Sequence, residues 1–188
     1  MAEKIIIDAG HGGTNPGATY EGRRESDDAL RLALAVGEIL SEDGYEVVYT
    51  RTDDTNPSYE KRVGLANKSN ADLFISVHNN SYRRSSSISG TEVMYSPTHE
   101  GAFTSERLAE ICMEELTATL GSRDRGLLEG DNIYIIHNSD VPVALIEVGF
   151  MTNKEELKLL NSKEYQEKTA EAIFRAIFKA LDEVDATK

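Results

Sequence analysis

Five short apolar runs, separated by longer segments of helical period or by turn-rich stretches, constrain this chain more than any other feature. They are Lys4–Asp8 (KIIID), Tyr45–Thr50 (YEVVYT), Leu73–His78 (LFISVH), Thr91–Tyr95 (TEVMY) and Val143–Val148 (VALIEV). Each is rich in β-branched or aromatic residues and bounded by Gly, Asn, Asp or Pro, which predicts strands. Ile133–Ile136 (IYII) is a candidate sixth. Between them, Asp27–Glu42 places Leu30, Ala33, Leu34, Val36 and Leu40 on one helical face, with Ser26 as N-cap and Gly44 as C-terminal stop. Tyr59–Lys68, Phe103–Leu120 and Ser162–Val184 read as further helices, and Asn153 with Glu156 reads as a capping box opening a short one. The last helix carries Ala170, Ile173, Phe174, Ile177, Phe178 and Leu181, a stripe expected to pack on the sheet. Such alternation predicts an α/β fold whose parallel strands are covered by helices on both faces. With 188 residues and no internal repeat, the expectation is a single domain, 1–188, with a core over about 4–182.

Charge narrows the function classes. Against 33 Asp and Glu stand 20 Lys and Arg, a formal net charge of -13. A nucleic-acid ligand is excluded, because phosphate binding needs clustered cations that release counterions, and anionic membranes are disfavoured for the same reason. No apolar stretch is long enough to span a bilayer, so no membrane insertion is expected. Met1-Ala2-Glu3-Lys4 leads directly into the first strand without a signal segment. The expectation is a chain that is cytoplasmic until released, or exported by a leader outside this sequence. The lone cysteine, Cys112, falls in a helical pattern and reads as a small core hydrophobe.

Three apolar runs end in residues of metal-binding or acid–base type. The first runs into Gly10-His11-Gly12-Gly13, the third ends at His78, and Glu147 interrupts the last. In open α/β sheets ligands collect beyond the carboxyl ends of strands. A charged Glu147 inside ALIEVGF demands compensation, since burying a carboxylate costs several kcal/mol, roughly, unless it is paired. Two imidazoles and one carboxylate form a complete ligand set for a catalytic Zn²⁺, with the fourth position left to water. Glu25, between the Gly-rich loop and the first long helix, is the candidate carboxylate, with Glu21 in the same loop as its competitor. Ordinary readings exist for each: His11 as a turn histidine, His78 as a satisfied strand-end histidine, Glu147 as half of an ion pair with Arg51 or Arg62. His99 reads as a surface-loop residue.

Taken together, the segments IIIDAGHGGTNPGA, Glu25, YTRTDD, Arg62 with Ala66-Asn67, LFISVHNN, GTEVMY, SERLA from Ser105 to Ala109, Arg125-Gly126 and PVALIEVGFMTN resemble the zinc-dependent N-acetylmuramoyl-L-alanine amidase family of autolysins and endolysins. They occur in the family's order from about Lys4 to Leu181. The resemblance implies a twisted, mostly parallel sheet, one Zn²⁺ held by His11, Glu25 and His78, and Glu147 as the catalytic acid–base. It implies a hydrolase that cuts the amide between the lactyl group of N-acetylmuramic acid and the stem L-alanine. Glu147 would take a proton from the zinc-activated water and return it to the departing amine. The implied partner is peptidoglycan, both glycan strand and stem peptide, met by a monomer, with any wall-binding domain separate from these residues. Asn80 and His137 are candidates for the substrate cleft. Two departures bear on substrate preference: Ser26-Asp27-Asp28 follows the glutamate where Lys-Asp is more usual, and Ile136-His137-Asn138 stands where Leu-Arg-Asn is common.

Two rivals remain at this level. A zinc carboxypeptidase uses the same ligand types but releases single amino acids, and a non-catalytic wall-binding module keeps the fold without turnover. The segment Asn79–Gly90 (NNSYRRSSSISG) has no room for a long inserted helix, which predicts an open site.

Overall fold

In the computed structural model, which describes residues 2–186, the first apolar run forms strand β1 (Lys4–Ala9). A Gly-rich loop leads into a small hairpin, β2 (Thr19–Tyr20) and β3 (Arg23–Arg24), and straight on into helix α1 (Glu25–Glu42). There follow β4 (Glu46–Tyr49), α2 (Tyr59–Lys68), β5 (Leu73–Asn80), β6 (Thr91–Tyr95) and α3 (Ser105–Leu120). The chain ends with β7 (Asp124–Glu129), α4 (Tyr134–His137), β8 (Val143–Phe150), α5 (Lys154–Leu160) and α6 (Lys163–Ala186).

Six strands form one sheet in the order β4-β1-β5-β8-β6-β7. All neighbours are parallel except β6 and β8, so the sheet is mostly parallel, as expected. β1 departs through α1 to β4 on one side, whereas β5 departs to β6 on the other. The carboxyl ends of β1 and β5 therefore flank a topological switch point, where α/β sheets bind ligands.

Strand period 2 sorts the side chains onto two faces. Ile5, Ile7, Ala9, Leu73, Ile75, Val77, Ala144, Ile146 and Val148 pack with α1, α3, α5 and α6 into the larger core. Ile6, Phe74, Val143 and Leu145 pack with Val63 and Ala66 of α2 and Ile135 and Ile136 of α4 into the smaller one. Among the described residues, these two short helices are the ones that pack on that second face.

Several expectations are corrected. Ile133–Ile136 is not a strand: Tyr134–His137 is one helical turn, and the sixth strand is the more polar β7. An apolar run of four is too short for periodicity to separate the two. Ser26 does not cap α1, which begins at Glu25 with Arg24 at the cap position and no side-chain cap; Glu25, Asp27 and Asp28 in the first turn complement the helix dipole instead. The buried face of α1 runs through Ala29, Leu32, Ala33, Val36 and Leu40, with Leu34 outside it. The stripe of α6 lies between α1 and α3 and joins the larger core through Ala170, Ile173, Ile177 and Leu181, while Phe178 is exposed. Asn153 caps α5 by accepting from the amides of Glu155 and Glu156, but the Glu156 carboxylate accepts from the amides of Gly90 and Phe150, so the reciprocal half of the box is not made. Cys112 is fully buried.

Candidate active site

Just beyond β1 the backbone turns sharply. His11 has a φ of 60°, a left-handed conformation that costs a non-glycine residue energy and needs support from its surroundings. A two-residue bridge between Gly12 and Asn15 closes the loop, with amide-to-carbonyl distances of 2.8 and 2.9 Å. Gly10 lies against the ring of His78, where a Cβ would come within 2.2 Å of it. Gly17 holds the loop against Glu25 and His11 in the same way, at a φ of 65°.

These contacts gather three side chains from β1's loop, the start of α1 and the end of β5. Glu25 Oε1 is 3.0 Å from His11 Nε2 and 2.9 Å from His78 Nδ1, and one ligand atom from each residue falls within 4.8 Å of the others. Ligands of a tetrahedral cation at about 2.0–2.2 Å lie about 3.3–3.6 Å from one another, so small adjustments admit a metal ion among them. Asn15 Oδ1 is 3.2 Å from His11 Nδ1 and also accepts from the Gly17 amide, an arrangement that places the His11 ring proton on Nδ1 and leaves the Nε2 lone pair facing the cluster. Glu25 Oε2 accepts from the Ala18 amide at 2.8 Å. Burial pushes the Glu25 carboxyl up, but hydrogen bonds and charge from His11 and His78 more than reverse this and hold it well below the ordinary carboxylate range. Burial lowers the His78 pKa, and Glu25, Glu147 and Asp8 together raise it above its usual value. A carboxylate flanked by two imidazoles at this spacing is a donor set able to hold a divalent cation.

Glu147 sits in register with His78 on β5 and with Glu92 on β6, so the three side chains share one sheet face. Its Oε2 is buried and has no hydrogen-bond partner. Burial is the main reason its pKa rises to about 7; His78 opposes the rise, and Glu25 and Glu92 add to it. A carboxyl so placed exchanges a proton near neutral pH.

Neither Arg51 nor Arg62 pairs with Glu147. Arg62 Nη1 binds Asp8 Oδ1 at 2.6 Å in a buried pair completed by Thr50 and Ser76 hydroxyls, each 2.6 Å from the carboxylate. Arg62 also donates to the carbonyls of Ala9 and His11, both at 2.7 Å, and Arg51 donates to those of Ala9, Gly10 and Ser26. The two guanidinium groups thus staple the loop that carries His11 to the sheet. Burial raises the Asp8 pKa, and Arg62, Ser76, Thr50 and His78 together bring it below the usual value.

His11, Glu25, His78 and Glu147 therefore come together, while Glu21 lies in the exposed β2–β3 turn away from them. Asn80 at the end of β5 reaches past β8 to β6 and donates to Glu92 Oε2 at 2.7 Å; Glu92 Oε1 accepts from Arg125, whose guanidinium lies over the Phe150 ring. His137 is exposed at the end of α4, 3.8 Å from Asp131, and is absent from the residues lining the cleft. His99 is half-buried rather than on the surface, and its Nδ1 has no partner. The cleft beside the cluster measures about 410 Å³ and is lined by His11, His78 and Glu147 together with Tyr59, Tyr134, Met94 and Leu145. Sequence reasoning missed Asp8, Asn15, Glu92 and the two tyrosines. Asp8 carried a readable signal, being a charge at the end of an apolar strand, the same signal that singled out Glu147.

Comparison with known proteins agrees with this geometry. A family model described as N-acetylmuramoyl-L-alanine amidase matches residues 5–179. YqiI of Bacillus subtilis (strain 168) is 41% identical over 95% of this chain and 85% of its own length. The N-acetylmuramoyl-L-alanine amidase LytC of the same organism is 39% identical over 92% of this chain, which spans only 34% of that longer protein. The crystal structure of an N-acetylmuramoyl-L-alanine amidase from Clostridium difficile 630 superposes with a TM-score of 0.91 at 33% identity, covering 96% of this chain and 97% of that one. From sequence, fold and the match along nearly all its length, the chain belongs to the N-acetylmuramoyl-L-alanine amidase family.

Proposed function

We propose that this chain hydrolyses peptidoglycan at the amide joining the lactyl group of N-acetylmuramic acid to the L-alanine of the stem peptide, with one Zn²⁺ held by His11 Nε2, Glu25 Oε1 and His78 Nδ1. The observation that carries the reading is the convergence of one ligand atom from each of these three residues within 4.8 Å beside a buried carboxyl oxygen that has no partner of its own. When bound, Zn²⁺ with three protein ligands supplies Lewis acidity to a water and to the substrate carbonyl oxygen.

The chain's own residues do the rest. Glu147 accepts the proton of the attacking water on a carboxylate oxygen and delivers it to the amide nitrogen as the carbon–nitrogen bond breaks, so that alanine leaves as a neutral amine. Its apolar setting keeps its proton affinity near neutrality, where it serves as base and then acid. Asn15 orients the His11 ring, and Arg51 and Arg62 hold the backbone behind it. The substrate class places the action at the bacterial cell wall, and a monomer suffices, since every group named comes from one chain. Among the described residues no helix is long and apolar enough to cross a membrane.

The test is zinc content together with release of amino groups from purified peptidoglycan. Wild type should hold about one zinc and liberate stem peptides with a new alanine amino terminus. His78→Ala should lose the metal, and Glu147→Ala should keep it without turnover. Free amino acids as product would point to a carboxypeptidase, and peptidoglycan binding without product, equal in wild type and Glu147→Ala, to a binding module.

A further inference from the structure

Two exposed aromatic rings stand on the rim of the cleft without any role in the chemistry above. Tyr59 is the first residue of α2 and Tyr134 the first of α4; their rings lie 6.2 Å apart at 26° to one another, 57% and 40% exposed respectively. Both line the same cleft as His11, His78 and Glu147. Holding the two helices together does not require them. Val63 and Ala66 of α2 already pack in the core with Ile135 and Ile136 of α4, and Asn67 clamps the chain after α4 by donating to the Asn138 carbonyl and accepting from the Asp140 amide.

A pair of near-parallel aromatic faces in water suits a ligand with a flat apolar face and polar edges. Charge discriminates between the two halves of the substrate. Arg62, the arginine of the cleft lining, is buried and committed to Asp8 and to carbonyls; His11 and His78 belong to the metal cluster, and the remaining carboxyl neighbours Asp8 and Glu147 are acidic. Outside the imidazoles His11 and His78 of the metal cluster, the lining around the two tyrosines therefore offers no free counter-charge to a peptide carboxylate, but it accepts a neutral ring. We propose that Tyr59 and Tyr134 form a carbohydrate subsite on which a neutral pyranose of the glycan strand packs while the amide is presented to His11, Glu25 and His78. The proposal rests on the peptidoglycan amidase reading for its substrate.

The test titrates zinc-loaded protein with two probes: a β-1,4-linked tetramer of N-acetylglucosamine, which has sugar rings but no scissile amide, and a free stem tetrapeptide beginning with L-alanine. Wild type, Tyr59→Ala, Tyr134→Ala and the two Tyr→Phe variants are compared by calorimetry or NMR, with zinc content and thermal unfolding as controls for folding. The expected result is tetramer affinity about tenfold weaker in either alanine variant and retained by phenylalanine, with tetrapeptide affinity unchanged. On peptidoglycan, KM should rise in the alanine variants with little change in kcat. Equal tetramer binding by wild type and alanine variants, no tetramer binding by wild type, or a loss confined to the tetrapeptide would each overturn the subsite. Failure of wild type to release amino groups sinks the hydrolase reading separately, because the tetramer titration needs no turnover.

Discussion

Replacing Arg62 with leucine tests whether the buried Asp8–Arg62 pair anchors the His11 loop. The substitution keeps an apolar stem but leaves Asp8, 1% exposed, without its cation. Breaking a buried pair from one side costs about 3–5 kcal/mol. Two hydroxyls, from Thr50 and Ser76, still hydrogen-bond the carboxylate, which places the cost near the lower end, about 3 kcal/mol. For a chain of this size that lowers Tm by about 6–12 °C. The pH dependence is the sharper readout. In wild type the Asp8 pKa lies below its unfolded value, so its contribution is present above that value, near 3.9, and is lost as pH falls through the folded pKa. Without Arg62, burial raises the pKa, and the variant regains stability as Asp8 takes up its proton. The gap between the two proteins, measured by urea unfolding of metal-free samples, should therefore be widest at pH 7 and should narrow as pH falls toward and below 3.9. A gap under about 1 kcal/mol at pH 7, or one that does not change with pH, would refute the reasoning.

Glu147→Gln should stabilise the metal-free protein at pH 8 while abolishing turnover. A carboxyl raised from 4.5 to about 7 favours the fold below pH 4.5 and loses that benefit as pH rises through 7, a difference of about 3 kcal/mol that glutamine removes; equal unfolding curves at pH 8 would contradict it. Asn15→Leu should weaken zinc binding about 10- to 100-fold in a chelator competition with little effect on Tm, because it frees the His11 ring rather than opening the core. Gly10→Ala should lose zinc and lower Tm together, since its Cβ would stand 2.2 Å from the His78 ring; a variant with full zinc content would show that the ring has room to move.

How much of this could be read from the sequence depended on whether a signal was local. The α/β class followed from runs such as LFISVH, whose length and β-branched content suit buried strands. β7 escaped notice because it is an edge strand reading DRGLLE, with three charges in six residues and one neighbour to satisfy. IYII was misplaced because four apolar residues satisfy either a strand or one helical turn. His11, His78 and Glu147 stood out as polar residues ending or interrupting apolar runs, and Glu25 as the carboxylate closing the Gly-rich loop. Tyr59 and Tyr134 carried no such mark, since only the packing of α2 on α4 brings them together.

The position of the site follows from parity. Asp8, Ser76, His78, Glu147 and Glu92 occupy the same side of adjacent strands, because each lies an even number of residues from a side chain of the smaller core: Ile6, Phe74, Leu145 or Met94. A one-residue slip in β5 or β8 would turn His78 or Glu147 into the larger core and expose its apolar neighbours instead, so the hydrophobic pattern that fixes register also fixes the site. Four carboxyls, those of Asp8, Glu25, Glu92 and Glu147, gather around this end of the sheet. Their surroundings sort them. Asp8 has an arginine and two hydroxyls, and Glu25 has two imidazoles and two backbone amides; both are held below their ordinary pKa, and Glu92 has the Arg125 guanidinium and the Asn80 amide. Glu147 has an oxygen with no partner and a pKa near 7. Of these four acids, the uncompensated one is the one able to pass a proton at neutral pH, and that is the acid the proposed reaction requires.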